Sequence, residues 1–251
     1  MSATQQNTDS GSIALSESRK PYHHGDLRRA IIASATRRAR HDGERAIVLR
    51  EIASEIGVSA TAAYRHFANR AELVDIVASR GLEEMAEGMR TSLVLDAGVA
   101  PESESERAGL AAWADVRNAC RSFVKFAIDE PKWIRMITDN GGDSETVQES
   151  LDKLTAALLR HVERGVPSGI ARTDFAEAER FEVWSSLMGM SMLSALGFLG
   201  TDDAMDQVWT ILDNQLDRVM APILLTERGR ELVAAQPPFP AGALSDLTDW
   251  L

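Results

Sequence analysis

Between Val48 and Phe67 the chain reads as two short helices folded about one glycine, and this segment limits the fold more than any other. Leu49, Ile52, Ala53 and Ile56 repeat at three- and four-residue steps, the period of a helix with one buried face. Gly57 follows, where a helix end commonly needs a positive φ. Val58 reads as a buried anchor and Ser59 as the cap of a second helix reaching Phe67. Ala63 and Phe67, four apart, can share that helix's buried side. A turn this tight crosses two helices steeply and leaves one face of the second uncovered. Ala60, Thr61, Ala62, Tyr64, Arg65 and His66 fall on that face.

The chemistry of the face suits a DNA groove. Small residues at its leading end let the backbone come close, and Thr61 and the alanine methyls can touch thymine methyls. Arg65 can take a guanine or a phosphate, and Tyr64 and His66 can bond phosphates. Arg50, heading the first helix, can reach a base edge or the backbone, and Arg70 can make a charge contact at the next helix start. Helix–glycine–helix also occurs in bundles that bind nothing, so spacing alone leaves both readings open.

Charge distribution favours the first reading. The whole chain carries a net charge of −11, which taken globally argues against nucleic acid. From Arg19 to Arg70, however, 11 Lys/Arg stand against 5 Asp/Glu, a local +6, while the rest carries 16 against 33. A basic module on an acidic body meets phosphate with one end only.

The remaining pattern is helical. Hydrophobic residues make up 44% of the 251 positions, enough for a sizeable core, and β-branched runs are nearly absent. Residues 1–20 read as a flexible tail. Helices are expected over Asp26–His41, Leu49–Ile56, Ala60–Phe67 and Arg70–Val94, with Asp26, Ser59 and Asn69 as caps. After a loop over Ala97–Glu106, further helices are expected over Glu106–Asp129, Pro131–Thr138, Asp143–Arg164, Thr173–Leu199 and Asp203–Leu225. Residues 228–251, with QPPFP at 236–240, read as an irregular tail. The stretch Val183–Thr201 holds no charged residue, but its serines and glycines mark a buried helix of a soluble protein, with no membrane partner. A single cysteine, Cys120, and an N-terminus unlike a signal peptide fit a cytoplasmic protein.

The segment LREIASEIGVSATAAYRHFANRAELV, with the preceding GDLRRAIIASATRRAR, resembles the DNA-binding domain of the TetR family of bacterial regulators. The pattern GVS, four residues, then Y-x-HF-x-N-R-x-x-L carries the resemblance over about residues 22–77. It implies that Ala60, Thr61, Ala62, Tyr64 and Arg65 face bases or backbone, and that Tyr64, His66 and Arg70 hold phosphates, with Ser59 capping the reading helix. It also implies an all-α fold: a three-helix DNA-binding domain at residues 21–70, then a helical bundle at 71–227 for dimerisation and ligand binding. The expected partners are a double-stranded operator, a second copy of the chain and a small-molecule ligand that releases a repressor from a palindrome. An architectural DNA-binding protein that needs no ligand stays open as the alternative. More weakly, FAIDEPKWIRMI and VWSSLMGMSML are similar to the subgroup with a "WHG" C-terminal domain, although Met188 stands where that motif has histidine.

In the body, Trp113, Phe123, Phe126, Trp133, Met136, Trp184, Met188 and Met192 are candidate pocket lining, because aromatic and methionine side chains suit adaptable apolar sites. Taken one by one, each reads as a core residue before a pocket residue, and the polar Arg117 and Asn140 are unplaced. For pairing of two copies, residues 183–199 with 203–225 beside them are the candidate, with Trp184, Leu187, Leu196, Trp209 and Leu212 as apolar area. No enzyme site is visible. His23 and His24 are adjacent and make no chelating face, His161 and Glu163 do not share a helical face, and Cys120 has no partner at metal spacing. No cofactor or metal is expected, and His41 beside Asp42 and Cys120 read as ordinary helix-end and core residues.

Overall fold

Apolar side chains from Leu27 to Leu225 join in one continuous cluster, so the N-terminal helices and the body share a core. The computed structural model describes residues 24–90, 103–140, 144–198 and 205–236. Expectations for residues 1–20, the loop at 97–102 and residues 237–240 of the QPPFP stretch lie outside these, as does the side chain of Asn140. All regular structure among the described residues is helical, apart from one isolated bridge between Ala171 and Leu225.

Helix α1 (His24–Asp42) leads through a 3₁₀ turn (Glu44–Ala46) to α2 (Leu49–Ile56), α3 (Ala60–Tyr64) and the long α4 (Arg70–Arg90). The body follows as α5 (Glu104–Asp129), α6 (Pro131–Asn140), α7 (Glu145–Arg164), α8 (Glu177–Ala195) and α9 (Met205–Gln215). It closes with a π turn (Leu216–Met220), α10 (Ala221–Leu224) and α11 (Glu227–Ala234). Helix α4 packs against α1 and along α7, so one element serves both ends. Helix α5 lies between α7 and α8. No helix among the described residues is long and apolar enough to cross a membrane.

Several boundaries differ from the sequence expectation for local reasons. Ser103 caps α5 by accepting from Glu106 N at 3.1 Å, which makes helix of Glu104 and Glu106 where a loop was expected. Helix α8 starts at Glu177, not Thr173, because Arg172 and Glu179 hold the chain extended ahead of it. Arg172 donates to Glu179 and to Ile223 O, and Glu179 accepts from Ala176 N at 2.9 Å. The segment expected to be irregular from 228 begins as helix α11. Thr226 caps it and donates to Gly169 O, and Gly229 approaches Ile170 O so closely that a Cβ would lie 2.3 Å away.

A buried ionic network joins α5 to α9 and the π turn. Arg121, fully buried, donates to Asp213 at 2.6 Å. Arg117 donates to Asp213 at 3.2 Å and pairs with Asp217. Burial pushes the Arg121 pKa below its ordinary value, and Asp213 opposes that shift.

The N-terminal helices meet the body at Trp133. Its ring is fully buried, its Nε1 donates to Val77 O at 2.9 Å, and the Arg40 guanidinium lies 4.6 Å from its centroid. Arg40 also pairs with Glu84 of α4 and Glu130, the residue before α6, while Lys132 donates to His41 O. Burial raises both carboxyl pKa values and Arg40 lowers them, the pattern of acids packed against a cation.

Two predictions follow from the packing. A Cβ at Gly81 would sit 2.6 Å from Trp133 Nε1. Gly81→Ala should therefore cost about 1–3 kcal/mol of stability in urea unfolding, and an unchanged midpoint would show that the ring yields freely. Cys120 is fully buried and its thiol is pushed up to about 12 by burial. It should resist a thiol-specific reagent at pH 8 in the folded protein and react once per chain on unfolding; rapid reaction of the native protein would contradict this placement.

Candidate nucleic-acid interface

The helix-turn-helix forms from its own sequence signals. Leu49, Ile52 and Ala53 are buried and Ile56 is partly so, giving α2 one apolar face. Gly57 takes φ 80°, ψ 28° and ends the helix in the left-handed region. Its N–H donates to Ser54 O at 3.1 Å and that of Val58 to Ala53 O at 2.9 Å, the paired bonds of a Schellman turn. Val58 packs against the core beyond it. Ser59 is extended, and its Oγ accepts from Ala62 N at 3.2 Å.

Helix α3 is shorter than expected. It ends at Tyr64, and Arg65 and His66 continue in a tighter turn through bonds to Ala62 O and Ala63 O. The chain must turn quickly there, because Phe67 is buried and Asn69 already caps α4. Asn69 Oδ1 accepts from Glu72 N at 2.9 Å, and Glu72 accepts from Ala68 N at 2.7 Å.

Most of the expected reading face is placed together. Ala63 and Phe67 are buried as expected, and Thr61, Tyr64, Arg65 and, on α2, Arg50 are exposed. Ala60 and His66 are half-buried. Ala62 is also half-buried and packs against the core, so it stands less outward than its position suggested.

Arg70 is also bonded within the chain. Its guanidinium donates to Ile47 O at 3.0 Å, to Glu44 O at 2.7 Å and to Glu44 Oε1 at 2.8 Å. It staples the 3₁₀ turn to the start of α4, a partnership that sequence spacing does not reveal.

Other arginines of the basic segment are also occupied within the chain. Arg37 and Arg38 pair with Glu55, and Arg38 with Glu51. The Glu55 carboxyl is held below its usual range, first by the Ser34 hydroxyl and then by Arg38. Among the described residues, Arg45, Arg50 and Arg65 form no ion pair. Arg28, not singled out by the sequence, lies 5.2 Å from the Phe67 ring centroid at the end of the reading turn. Its i+3 and i+4 relation to Ile31 and Ile32 was the only available signal.

The expected pocket residues are mostly core. Phe123, Phe126, Trp133 and Met136 are fully buried, and Met188 and Met192 pack partly buried against the cluster. Trp113 and Trp184 line two different small cavities. The expected apolar pairing surface is also revised. Leu187, Trp209 and Leu212 are buried within the chain and Trp184 is partly so, whereas Leu193, Leu196, Phe198 and Ile211 are exposed beside Phe181. No group of three His, Cys, Asp or Glu among the described residues is arranged to hold a metal ion.

A helix-turn-helix set at one end of a helical body defines a transcriptional regulator of the DNA-binding class. Residues 31–77 match the family described as bacterial regulatory proteins, tetR family, and residues 116–216 match a tetracyclin repressor-like C-terminal domain. The chain belongs to the TetR family. Among solved structures, a protein of unknown function from a Rhodococcus species is 24% identical, with a TM-score of 0.60 over 82% of this chain and 99% of that one. A protein from Mesorhizobium loti described as a TetR-family transcriptional regulator is 15% identical, with a TM-score of 0.56 over 82% and 98%. A third, described as a transcriptional regulator from Saccharomonospora viridis in complex with choline, is 14% identical, with a TM-score of 0.53 over 81% and 100%. No curated protein matches the chain.

The backbone at Gly57 gives the interface a direct test. Nothing lies within 4 Å of a Cβ added there, so a substitution meets only the positive φ. Gly57→Ala should cost about 1–2 kcal/mol in urea unfolding, with Gly57→Asn recovering part of it; equal stability of all three would refute the turn geometry.

Proposed function

We propose that the chain is a ligand-responsive repressor that binds a palindromic operator as a homodimer. The observation that carries this reading is the exposed face of α3, with Thr61, Tyr64 and Arg65 outward and the unpaired Arg45 and Arg50 on adjoining elements. In this reading, Arg50, Thr61 and Arg65 choose sequence, and Ala60 permits close approach. Tyr64 and His66 bond phosphates and Arg45 adds charge. Ser59 holds the geometry, and Arg70, braced by its bonds to Glu44 and Ile47, presents its exposed edge to a phosphate. Residues 21–70 do the reading, while 71–227 dimerise and bind ligand.

Pairing is supported by the exposed Leu193, Leu196 and Phe198 at the end of α8 and Ile211 on α9. Two copies would set their reading helices about 34–36 Å apart, one turn of DNA. A ligand that favours another spacing then releases the operator. The structural neighbour holding choline supports the expectation that such a body takes a small molecule.

Genomic footprinting should give a few sharp palindromes; broad coverage without preference would favour the architectural alternative. On the recovered operator, the Tyr64→Ala/His66→Ala double variant should bind at least about tenfold more weakly, a loss of roughly 1.4 kcal/mol. Arg65→Gln should change base preference, and Arg45→Gln should lower the salt slope by about one. Unchanged operator affinity in the double variant would remove the assignment.

A further inference from the structure

Arg28 is held differently from the other arginines of α1. Arg37, Arg38 and Arg40 each lie against a carboxylate, which offsets their charge within the chain. Arg28 lies over the Phe67 ring instead, its Cζ 5.2 Å from the centroid. It makes no ion pair or side-chain hydrogen bond among the described residues. Phe67 is buried and Arg28 is exposed, so the guanidinium stands on the solvent side of the ring. A ring attracts a cation through its quadrupole but does not neutralise it. The guanidinium therefore keeps its charge and its N–H donors for another acceptor.

The position of this cation is informative. Phe67 directly follows His66 and stands three residues after Tyr64, the two side chains proposed to bond phosphates. Helix α1 packs against both α2 and α3. Carboxylates of this region already have partners: Glu44 has Arg70, Glu51 and Glu55 have Arg38, and Glu72 has Ala68 N. An anion brought by a partner is the acceptor that suits a cation so placed.

We propose that Arg28 is a further operator contact, a guanidinium seated on the Phe67 ring that bonds a DNA phosphate beside those held by Tyr64 and His66. It carries the interface from the helix-turn-helix onto α1 and adds affinity without choosing sequence. The ring orients the side chain before DNA arrives, so less rotamer freedom is lost on binding. The competing role is a cover for Phe67 alone, which needs apolar surface over the ring and no charge. The contact rests on the operator-binding reading above, and its test separates the two.

Arg28→Met in the full chain keeps a polarisable cover on the ring and removes the charge. It should leave the urea midpoint unchanged and weaken binding to the recovered operator at least about threefold, with the salt slope lowered by about one for each copy bound. Single-base variants of the operator should lose the same factor. Arg28→Lys, which keeps the charge without the planar fork, should keep the slope and fall between wild type and Arg28→Met. Replacing operator phosphates one at a time by neutral methylphosphonates should locate the partner. The position that weakens wild type but not Arg28→Met should adjoin the one found in the same way with His66→Ala. A salt slope unchanged in Arg28→Met overturns the proposal in favour of the ring cover, whatever the urea midpoint does. A loss confined to one base pair also overturns it, as base reading. Should Arg28→Met not fold, the phosphate scan with Arg28→Lys decides, and a scan identical to wild type overturns the contact. Wild-type protein that binds no duplex at low salt refutes the operator reading and the contact with it. Wild-type binding that Arg28→Met reproduces refutes the contact alone.

Discussion

The N-terminal helices and the body meet at the packing around Trp133. The indole is fully buried, bonded to Val77 O on α4 and flanked by Phe126 at a centroid distance of 5.7 Å. Gly81 leaves it room, and Arg40 lies across its other side with Glu84 and Glu130 as counter-charges. Three elements, α1, α4 and α6, thereby share one ring and one cation. Such a joint has few intermediate positions, because close-packed cores shift between discrete arrangements more readily than they deform.

The basic segment divides its labour in a way that net charge hides. Arg37, Arg38, Arg40 and Arg70 brace the head internally, against Glu55, Glu51, Glu84, Glu130 and Glu44. Exposed pairs of this kind contribute little stability one by one, but several together fix the orientation of α1 on α2 and α4. Arg45, Arg50 and Arg65 take no part in this bracing among the described residues.

How much was legible in the sequence depended on the kind of signal. Periodicity and caps are local, so α2, Gly57, Ser59 and Asn69 could be read to the residue. Ala63 and Phe67 were legible as core for the same reason. Arg70 was not, because its partners Glu44 and Ile47 lie more than twenty positions away and only folding brings them together. Helix α11 was masked by the proline-rich stretch after it, although Thr226 already offered a cap three residues before Gly229. In the body, large apolar side chains were candidates for pocket lining, though each read singly as core. Phe123, Phe126 and Met136 fill the core, because side-chain type predicts burial and not which cavity is left over.

The ionic network between α5 and α9 also sets a register. Arg117 and Arg121 are four apart, as are Asp213 on α9 and Asp217 on the π turn that continues it; Arg121 pairs with Asp213, and Arg117 with both Asp217 and Asp213. The two charge ladders thus run antiparallel and match at one alignment. If α9 slid along α5 by one turn, one arginine would face a carboxylate while another was stranded in the apolar interior, at a cost of several kcal/mol. The network makes α9 a keyed part, so a surface built on it is presented to any partner at one fixed height along the body.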